Sequence, residues 1–221
     1  QLKVALRERG ITFHDATCPV LLKWVYRKIR NFEADGYHVI LIGNPDHAEI
    51  IASRSYGEDI SVVYDEAAVE GLPDGLEKTV AICQTTITKE KFDRLVGCIR
   101  RVKYPGLRAV DTRCKPVKNQ QEAVEMLAQW VDAMIIVGGY NSSNTTNLAR
   151  IAKNHLPQRT YHIDADALVQ AEWLVGVRPL GIGAGTSTPK EQIAAVQSRI
   201  AELYPGTVAF RVGDGPQGAG Q

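Results

Sequence analysis

Two of the four cysteines in this 221-residue chain occupy equivalent settings and could ligate a metal. Cys18 follows Asp-Ala-Thr, and Cys114 follows Asp-Thr-Arg 96 residues further along. Each lies between a strand-like run and a stretch of helical period, so its thiol meets the positive end of a helix dipole, which favours the thiolate. One such cysteine is usually a small buried residue. Two at matching positions favour metal ligation, although the usual iron–sulfur cluster needs a further thiolate.

The other two cysteines, Cys83 and Cys98, have no counterparts at the matching positions of the sequence. We expect Cys83 to pack in a strand and Cys98 to pack beside the apolar stripe of a helix. Four cysteines in a chain of this size do not indicate a disulfide scaffold. The 96-residue spacing of the matching pair is also far from the C-x-x-C pattern of a simple cysteine-pair redox protein.

Two loops have the composition of anion sites. One runs from Gly43 to Glu49 and the other from Gly138 to Asn144, and each precedes a helical stretch. Free N–H groups at a helix N-terminus suit phosphate, although N-capping explains serine and asparagine there equally well. His47, with Glu49, combines a possible phosphate ligand with a proton donor. The polar candidates in the second loop are Ser142, Ser143 and Asn144.

Hydroxyl groups follow a third strand in each half of the chain, at Thr85 in the first and at Ser187 in the second. Parallel α/β sheets bind their ligands beyond the carboxyl ends of the strands. All the candidates fall at such ends, which predicts one shared site. They are Cys18, His47, Glu49, Thr85, Cys114, Ser142, Asn144 and Ser187.

The elements that must position these residues alternate between strands and helices. Strands are predicted at residues 39–42, 61–64, 80–83, 108–110, 134–137, 161–163 and 180–182. Between them lie four apolar stripes of helical period: Leu22, Val25, Ile29 and Phe32; Phe92, Leu95, Val96 and Ile99; Ala123, Val124, Leu127 and Val131; and Ile193, Val196, Ile200 and Leu203. Such alternation predicts an α/β fold with parallel sheets covered by helices.

The chain also repeats itself, which predicts two copies of one α/β module. Gly10 matches Gly106 at the offset of the two cysteines, and residues 85–90 match residues 186–191 at an offset of 101. Residues 2–14 resemble the closing helix, glycine stop and strand of a preceding copy. The predicted organisation has four parts. A remnant of a preceding module (1–17) comes first. A module with Cys18, His47 and Glu49 (18–111) follows, then a module with Cys114 and the Asn-Ser-Ser-Asn loop (112–204), and then a tail (205–221).

Composition is that of an ordinary globular protein, with 44% hydrophobic and 23% charged residues and a net charge of +1. The densest basic run, residues 100–103, is typical of a solvated helix end, so no nucleic-acid partner is expected. No apolar run approaches the ~18 residues of a membrane span, and no signal peptide is visible. We therefore expect a cytoplasmic protein without membrane contact.

Taken together, the motifs resemble those of the 4-hydroxy-3-methylbut-2-enyl diphosphate reductase family, the LytB-type iron–sulfur reductases. The resemblance covers roughly residues 2–203, in order and with family-like spacing. It is carried by Asp-Ala-Thr-Cys18-Pro, His47-Ala-Glu49, Gln84-Thr85-Thr86, the Cys114 segment ending in Gln-Glu-Ala, Asn141-Ser-Ser-Asn144 and Gly185-Thr-Ser-Thr-Pro189.

The resemblance implies reductive removal of the allylic hydroxyl of 4-hydroxy-3-methylbut-2-enyl diphosphate, giving isopentenyl and dimethylallyl diphosphates in isoprenoid biosynthesis by the methylerythritol phosphate route. It implies modules around a pseudo-threefold axis, with the first module missing here. It implies a 4Fe-4S cluster held by Cys18, Cys114 and a third cysteine from that missing module, and a ferredoxin- or flavodoxin-type electron donor. The roles it implies are proton delivery by Glu49 and Thr85, and diphosphate binding by His47, Ser142, Ser143, Asn144 and Ser187.

Some positions depart from the family pattern, and they leave other functions open. The first cysteine motif is absent, Asn-Pro-Asp precedes His47 where many members have another histidine, and Ala48 replaces a common proline. Residues 115–121 lack hydroxyl and arginine residues often found after the third cysteine. We expect this portion alone to be inactive. A non-catalytic module that binds a phosphate ligand is the alternative, although anion binding needs neither Cys18 nor Glu49.

Overall fold

The computed structural model describes residues 2–12, 14, 18 and 21–204, and its centre consists of two small parallel sheets. The described chain begins with helix α1 (Leu2–Glu8), which ends before Gly10. Gly10 has a φ of +69°, a left-handed conformation that favours glycine and stops the helix. The predicted helix and glycine stop are confirmed here. Residues 11, 12 and 14 are not in a strand, and Phe13 lies outside the described residues.

The first sheet contains four parallel strands in the order β2-β1-β3-β4. Its strands are β1 (His38–Ile42), β2 (Ile60–Val63), β3 (Thr79–Cys83) and β4 (Arg108–Val110), and its helices are α2 (Leu21–Ala34), α3 (Ala48–Arg54), α4 (Ala67–Glu70) and α5 (Lys89–Val102). Strands β1 and β3 are buried along their whole lengths, as central parallel strands covered on both faces must be.

The second sheet contains three parallel strands in the order β6-β5-β7. Its strands are β5 (Ala133–Val137), β6 (Thr160–Ile163) and β7 (Leu180–Ala184), and its helices are α6 (Lys115–Ala128), α7 (Ser143–His155) and α8 (Lys190–Leu203). Two short 3-10 turns, Asp166–Leu168 and Ala171–Leu174, connect β6 to β7. Strand β5 is the central, fully buried strand of this sheet.

The first three strands of the first sheet have the same topology as the three strands of the second sheet, and both sheets confirm the predicted α/β fold built from small parallel sheets flanked by helices. In each sheet the strand that follows the first helix is central, the next strand lies on one side, and the third lies on the other. Strand β4, which leads to Cys114, pairs with β3 and therefore completes the first sheet. The pseudo-threefold axis and the domain boundaries given above stay predictions.

All seven predicted strands are present, but one predicted helical stripe is partly wrong. Helix α6 ends at Ala128, before Val131, and it buries Val117, Val124 and Ala128. Ala123 is exposed and Leu127 is 36% exposed. The prediction continued the helix to Val131, through the turn after Ala128. It therefore placed Ala123 and Leu127 on the buried face, about one residue away from the positions that are buried. The other three stripes lie on helices α2, α5 and α8.

Alternate residues of the central strands supply two hydrophobic layers in each sheet. In the first sheet, Ile40 and Ile42 pack toward α5, whereas Val39 and Leu41 pack toward α2. The second sheet divides in the same way: even-numbered residues of β5 pack with α6 and α7, and odd-numbered ones pack with α8. Cys83 and Cys98 are 2% and 6% exposed within the first sheet's core, which confirms their predicted packing.

Side chains of the second sheet's helices hold the segment that follows β3. Gln121 on α6 donates to the carbonyl oxygen of Thr86 at 3.2 Å, and Asn147 on α7 donates to the same oxygen at 2.8 Å. Arg150, one turn further along α7, donates to Thr88 Oγ1 at 2.9 Å. These bonds fix the carboxyl edge of the first sheet against the N-terminal part of α7.

None of the helices in the described residues is long and apolar enough to span a membrane. The predicted tail, residues 205–221, lies outside the described residues.

Candidate active site at the carboxyl edges of the two sheets

Glu49 is held by two hydrogen bonds from a single residue on the next loop. It lies in the first turn of α3, directly beyond β1, and Thr85 lies two residues beyond β3. Because β1 and β3 are parallel neighbours, both residues reach the same edge of the sheet. The Thr85 backbone N–H donates to Glu49 Oε1 at 2.7 Å, and the Thr85 hydroxyl donates to Oε2 at 2.7 Å. Both carboxylate oxygens therefore have a fixed orientation.

Burial changes the acidity of Glu49. It raises the pKa of Glu49 above its ordinary value, because removal from water disfavours the charged form. The two bonds from Thr85 and the nearby His47 oppose this shift only in part. A raised pKa widens the pH range over which the carboxyl group keeps its proton.

His47 caps helix α3 with its side chain. Its Nδ1 accepts a hydrogen bond from the Glu49 backbone N–H at 3.2 Å, and its backbone adopts the extended conformation of an N-cap. Because Nδ1 is the acceptor, the ring proton lies on Nε2, which makes no hydrogen bond to any described residue and can donate to a ligand. His47 lines a cavity at the sheet edge and is half-buried. The ring can therefore offer a hydrogen bond to an anionic group.

The loop that leads to Cys114 is bound directly to the Glu49–Thr85 pair. The Cys114 backbone N–H donates to the Thr85 carbonyl oxygen at 2.9 Å. Cys114 is the N-cap residue of α6, and its side chain makes no capping hydrogen bond. Two residues earlier, the buried Thr112 accepts a bond from the Cys83 backbone N–H at 2.8 Å. The backbone of the half-buried Cys114 is thus bonded to the residue that holds Glu49.

The second loop begins helix α7 with three polar residues in different environments. Ser142 is the N-cap, and its Oγ accepts from the Thr145 N–H at 3.3 Å. Ser143 Oγ lies 3.0 Å from Thr86 Oγ1 and thus reaches the first sheet. Asn144 is 3% exposed; its Nδ2 donates to Gln120 Oε1 at 3.0 Å. Its Oδ1 is buried and has no hydrogen-bond partner among the described residues.

Ser187 lies beyond β7, as predicted, and its side chain is exposed. The turn around it requires close backbone approach, since a Cβ at Gly185 would lie 2.2 Å from Thr145 Oγ1. The neighbouring Thr188 donates to the Val137 carbonyl oxygen at 3.0 Å, which ties this turn to β5. Ser187 therefore belongs to the carboxyl edge of the second sheet, on the turn beside the N-terminus of α7.

A cavity of about 260 Å³ lies between the two sheet edges. We call it the cleft cavity. His47 and Asn44 line it from the first loop, and Ser143 lines it from the second. Gln84 bridges the two loops: its Oε1 accepts from the Asn44 N–H at 3.1 Å, and its Nε2 donates to Ser143 Oγ at 3.3 Å. The structure thus brings His47 and Ser143 to one cavity, adjacent to the Glu49–Thr85 pair.

Cys18 is exposed, and residues 15–17, 19 and 20 around it lie outside the described residues. Within the described ranges, no group of three His, Cys, Asp or Glu side chains could hold a metal ion. The residues that are present fit part of a cluster site: Cys114 has a thiol without a capping role at a helix N-terminus. A site shared by Cys18 and Cys114 stays a prediction.

Sequence reasoning missed several residues of the cleft cavity. Tyr64, Lys91 and Asn147 line it, and the Gln84 side chain connects its two walls. Only their positions just beyond strands or in the first turns of helices could have indicated them, and many inert surface residues occupy such positions.

Comparison with known proteins agrees with this arrangement. The LytB protein family matches residues 1–201. A 4-hydroxy-3-methylbut-2-enyl diphosphate reductase of Aquifex aeolicus is 39% identical over 207 residues, covering 91% of this chain and 70% of that protein. The reductase of the same name from Anaeromyxobacter sp. strain Fw109-5 is 35% identical over 201 residues, covering 90% of this chain and 69% of that protein.

Two solved structures are also similar. One, of an (E)-4-hydroxy-3-methyl-but-2-enyl diphosphate reductase described as the terminal enzyme of the non-mevalonate pathway, is 37% identical and aligns with a TM-score of 0.57 over 91% of this chain and 72% of that one. The other, an E-1-hydroxy-2-methyl-but-2-enyl-4-diphosphate reductase from Plasmodium falciparum, is 21% identical and shares the fold with a TM-score of 0.81, over 91% of this chain and 63% of that one. This chain therefore belongs to the LytB protein family.

Proposed function

We propose that this chain forms part of an oxidoreductase that reduces 4-hydroxy-3-methylbut-2-enyl diphosphate to isopentenyl and dimethylallyl diphosphates in isoprenoid biosynthesis. The relatives that match most of this chain are named as that reductase, and the LytB protein family matches residues 1–201. The observation that carries the proposal is the Glu49–Thr85 pair, bonded through Thr85 to the Cys114 loop. Anion binding alone would need neither a buried carboxyl group nor an uncommitted thiol.

Glu49 would protonate the leaving hydroxyl group. The overall reaction replaces the allylic C–OH bond with C–H and releases water, consuming two electrons and two protons. A protonated Glu49 can give one proton to the hydroxyl oxygen, which departs as water. The resulting carboxylate is then stabilised by the Thr85 N–H and hydroxyl. Thr85 thereby orients Glu49 and can relay its proton.

The diphosphate would be held by uncharged donors and one histidine. His47 offers Nε2–H from its position as the cap of α3, while Ser142, Ser143 and Asn144 occupy the N-terminus of α7. Backbone N–H groups at that terminus favour an anion. Ser187 would add its hydroxyl from the turn beyond β7. A diphosphate bound by His47 would leave the allylic end of the substrate free to approach Glu49, whose backbone N–H is bonded to the His47 ring.

Cys18 and Cys114 would hold a 4Fe-4S cluster together with a third cysteine from outside these 221 residues. When bound, the cluster would supply the electrons for the reduction one at a time. Cys83 is unsuited to this role because burial raises its pKa to about 12. A small ferredoxin- or flavodoxin-type protein in the cytoplasm would deliver the electrons. We propose that the 221 residues alone are inactive.

Reconstitution tests this function. We define the three-cysteine form as this chain preceded by the first module of a reductase of the family. After anaerobic loading with iron and sulfide, it should oxidise reduced methyl viologen when the allylic diphosphate is added, and release both products. The 221-residue chain should do neither and should retain far fewer than about four irons per chain. Diphosphate binding by the three-cysteine form without turnover would instead favour a non-catalytic binding module.

A further inference from the structure

A second group of side chains lines the cleft cavity together with the proposed diphosphate ligands His47 and Ser143. This group consists of Tyr64, Lys91 on α5 and Asn147 on α7. None of these three belongs to the motifs that carry the family resemblance. We call the wall that they form the outer half of the cavity.

Lys91 forms no ion pair with a carboxylate in the described part of the chain. It lies in the first turn of α5, half-buried, with Nζ 3.2 Å from the centroid of the Tyr64 ring. Over the described residues its Nζ makes no hydrogen bond or ion pair. Burial lowers the pKa of Lys91, the positive charges of Arg150 and Arg94 lower it further, and the Asp65 carboxylate opposes this shift only in part. An ammonium group in such surroundings is stabilised by an anion that enters the cavity.

Lys91 differs from the three lysines of the described chain that form ion pairs with carboxylates. Lys89, two residues earlier, pairs with Asp93. Lys103 pairs with Asp74 at 2.6 Å, and Lys118 lies 3.3 Å from Asp111. None of these paired lysines lines the cavity, whereas Lys91 does.

The dipoles of two helices add to the charge of Lys91. The cavity is lined by residues from the first turns of both α5 and α7, which expose N–H groups at their N-termini. Asn147 is already committed to the Thr86 carbonyl oxygen, so it shapes the wall without competing for the ligand. Charge, desolvation and helix orientation all favour a polyanion here.

We propose that the outer half of the cleft cavity is a second phosphate subsite, in which Lys91 captures the diphosphate group of the substrate before it reaches His47 and Ser143. This rests on the proposed function for the identity of the substrate. Lys91 is a binding residue in this scheme and takes no part in proton transfer. Its effect is on association, so it should be sensitive to ionic strength.

Lys91→Met tests the subsite, because methionine keeps the packing against Tyr64 and removes the charge. Lys89→Met is the matched control on the same turn. In the three-cysteine form, Lys91→Met should lower kcat/KM about tenfold at low salt and leave kcat nearly unchanged. The loss should shrink at high salt, and Lys89→Met should show no such change. An unchanged kcat/KM in Lys91→Met, while His47→Gln still weakens substrate binding, would overturn the subsite and leave the proposed function standing.

Two further measurements separate binding from folding and from a general anion effect. The melting temperature of Lys91→Met should be close to that of the unaltered chain, because removal of a partly desolvated charge offsets the loss of the cation–π contact with Tyr64. A lower melting temperature would assign Lys91 a structural role instead. Titration of the 221-residue chain with inorganic diphosphate and with inorganic phosphate should show about tenfold weaker diphosphate binding in Lys91→Met. Equal losses for the two anions would mean that Lys91 recognises any phosphate rather than the diphosphate group, and would overturn this assignment.

Discussion

The loops that follow the central strands β1 and β5 occupy equivalent places in their sheets and carry different chemistry. Each begins a helix, α3 or α7, and each places a capping residue before it: His47 in the first and Ser142 in the second. The residue two positions after each cap differs in its chemistry: it is Glu49, a carboxylic acid, in the first loop and Asn144, an amide, in the second. The first loop can exchange protons, whereas the second can only donate and accept hydrogen bonds.

The hydrogen-bond partners of Glu49 and Asn144 also differ between the two loops. Both oxygens of Glu49 receive hydrogen bonds from Thr85. The residue that matches Thr85 in the repeat, Thr186, is exposed, and the Asn144 Oδ1 has no partner among the described residues. A carboxylate at the second position would therefore be buried without the donors that make it tolerable at the first. One repeated framework thus carries a carboxyl group with two donors on one side and a buried amide on the other, which is the division of roles that the proposed function assigns to the two loops.

Glu49→Gln should have the largest effect of the changes that test this division. Glutamine keeps the size and can keep both bonds to Thr85, but it cannot donate a proton in the same way. In the three-cysteine form, turnover should fall at least ~100-fold while the affinity for inorganic diphosphate changes little. Glu70→Gln, at an exposed position of the first sheet, is the control. Near-normal turnover in Glu49→Gln would remove this residue from the mechanism.

Asn144→Asp places a carboxylate at the matching position of the second loop. This change should remove the preference of the second loop for anions. The new charge lies at the α7 N-terminus next to the proposed diphosphate, so repulsion should weaken inorganic diphosphate binding by about tenfold or more. Calorimetric titration of the 221-residue chain measures this directly. Asn154→Asp, at an exposed position of the same helix, should bind as the unaltered chain does. Equal affinities for the two variants would contradict the anion role of the second loop.

Thr85→Val should have a smaller effect than either change, since it removes one of the two bonds to Glu49. The backbone N–H still donates to Oε1, and only the hydroxyl bond at 2.7 Å is lost. A bond to a charged group contributes about 1.5–3 kcal/mol at most, so we expect a loss of turnover of about tenfold. Thr85→Ser should restore most of it. Thr186→Val is the matched control in the second module, and a comparable loss there would mean that the two modules share the proton-transfer role.

Much of this framework is predictable from the sequence, because local signals decide it. The strand positions follow from short apolar runs, and the repeat by itself predicts that His47, Glu49 and Thr85 lie at one sheet edge. The predicted α6 stripe is wrong because helix ends are set by tertiary contacts as much as by periodicity. Nothing local indicates that Ala123 faces away from the core.

Contacts between the two sheets could not be predicted in the same way. The Gln84 bridge to Ser143 and the Asn147 bond to Thr86 depend on how one sheet lies against the other, which no repeat or periodicity fixes. Lys91 was missed for the same reason: in the sequence it is one more lysine at the start of a helix. The shared position of Cys18 and Cys114 stays a prediction.

The smallest expected effect concerns stability rather than turnover, and it needs only the 221-residue chain. Burial raises the pKa of Glu49 in the folded state above its ordinary value of 4.5. The folded state therefore binds this proton more tightly than the unfolded state does. The resulting stabilisation is complete below the ordinary pKa and is lost as the pH rises through the raised pKa. Glutamine stays neutral throughout, so Glu49→Gln does not lose that contribution.

The melting temperature of Glu49→Gln, measured relative to the unaltered chain, should accordingly rise between about pH 4 and pH 8. Each kcal/mol moves the melting temperature of a chain this size by about 2–4 °C, so thermal scans at four or five pH values can resolve the trend. Glu70→Gln provides the control for surface charge and should give a difference that does not change with pH in this way. A falling difference for Glu49→Gln would mean that Thr85 stabilises the carboxylate more than burial destabilises it. Glu49 would then be a carboxylate in the resting protein, and the contrast between the two loops would be one of charge rather than of proton transfer.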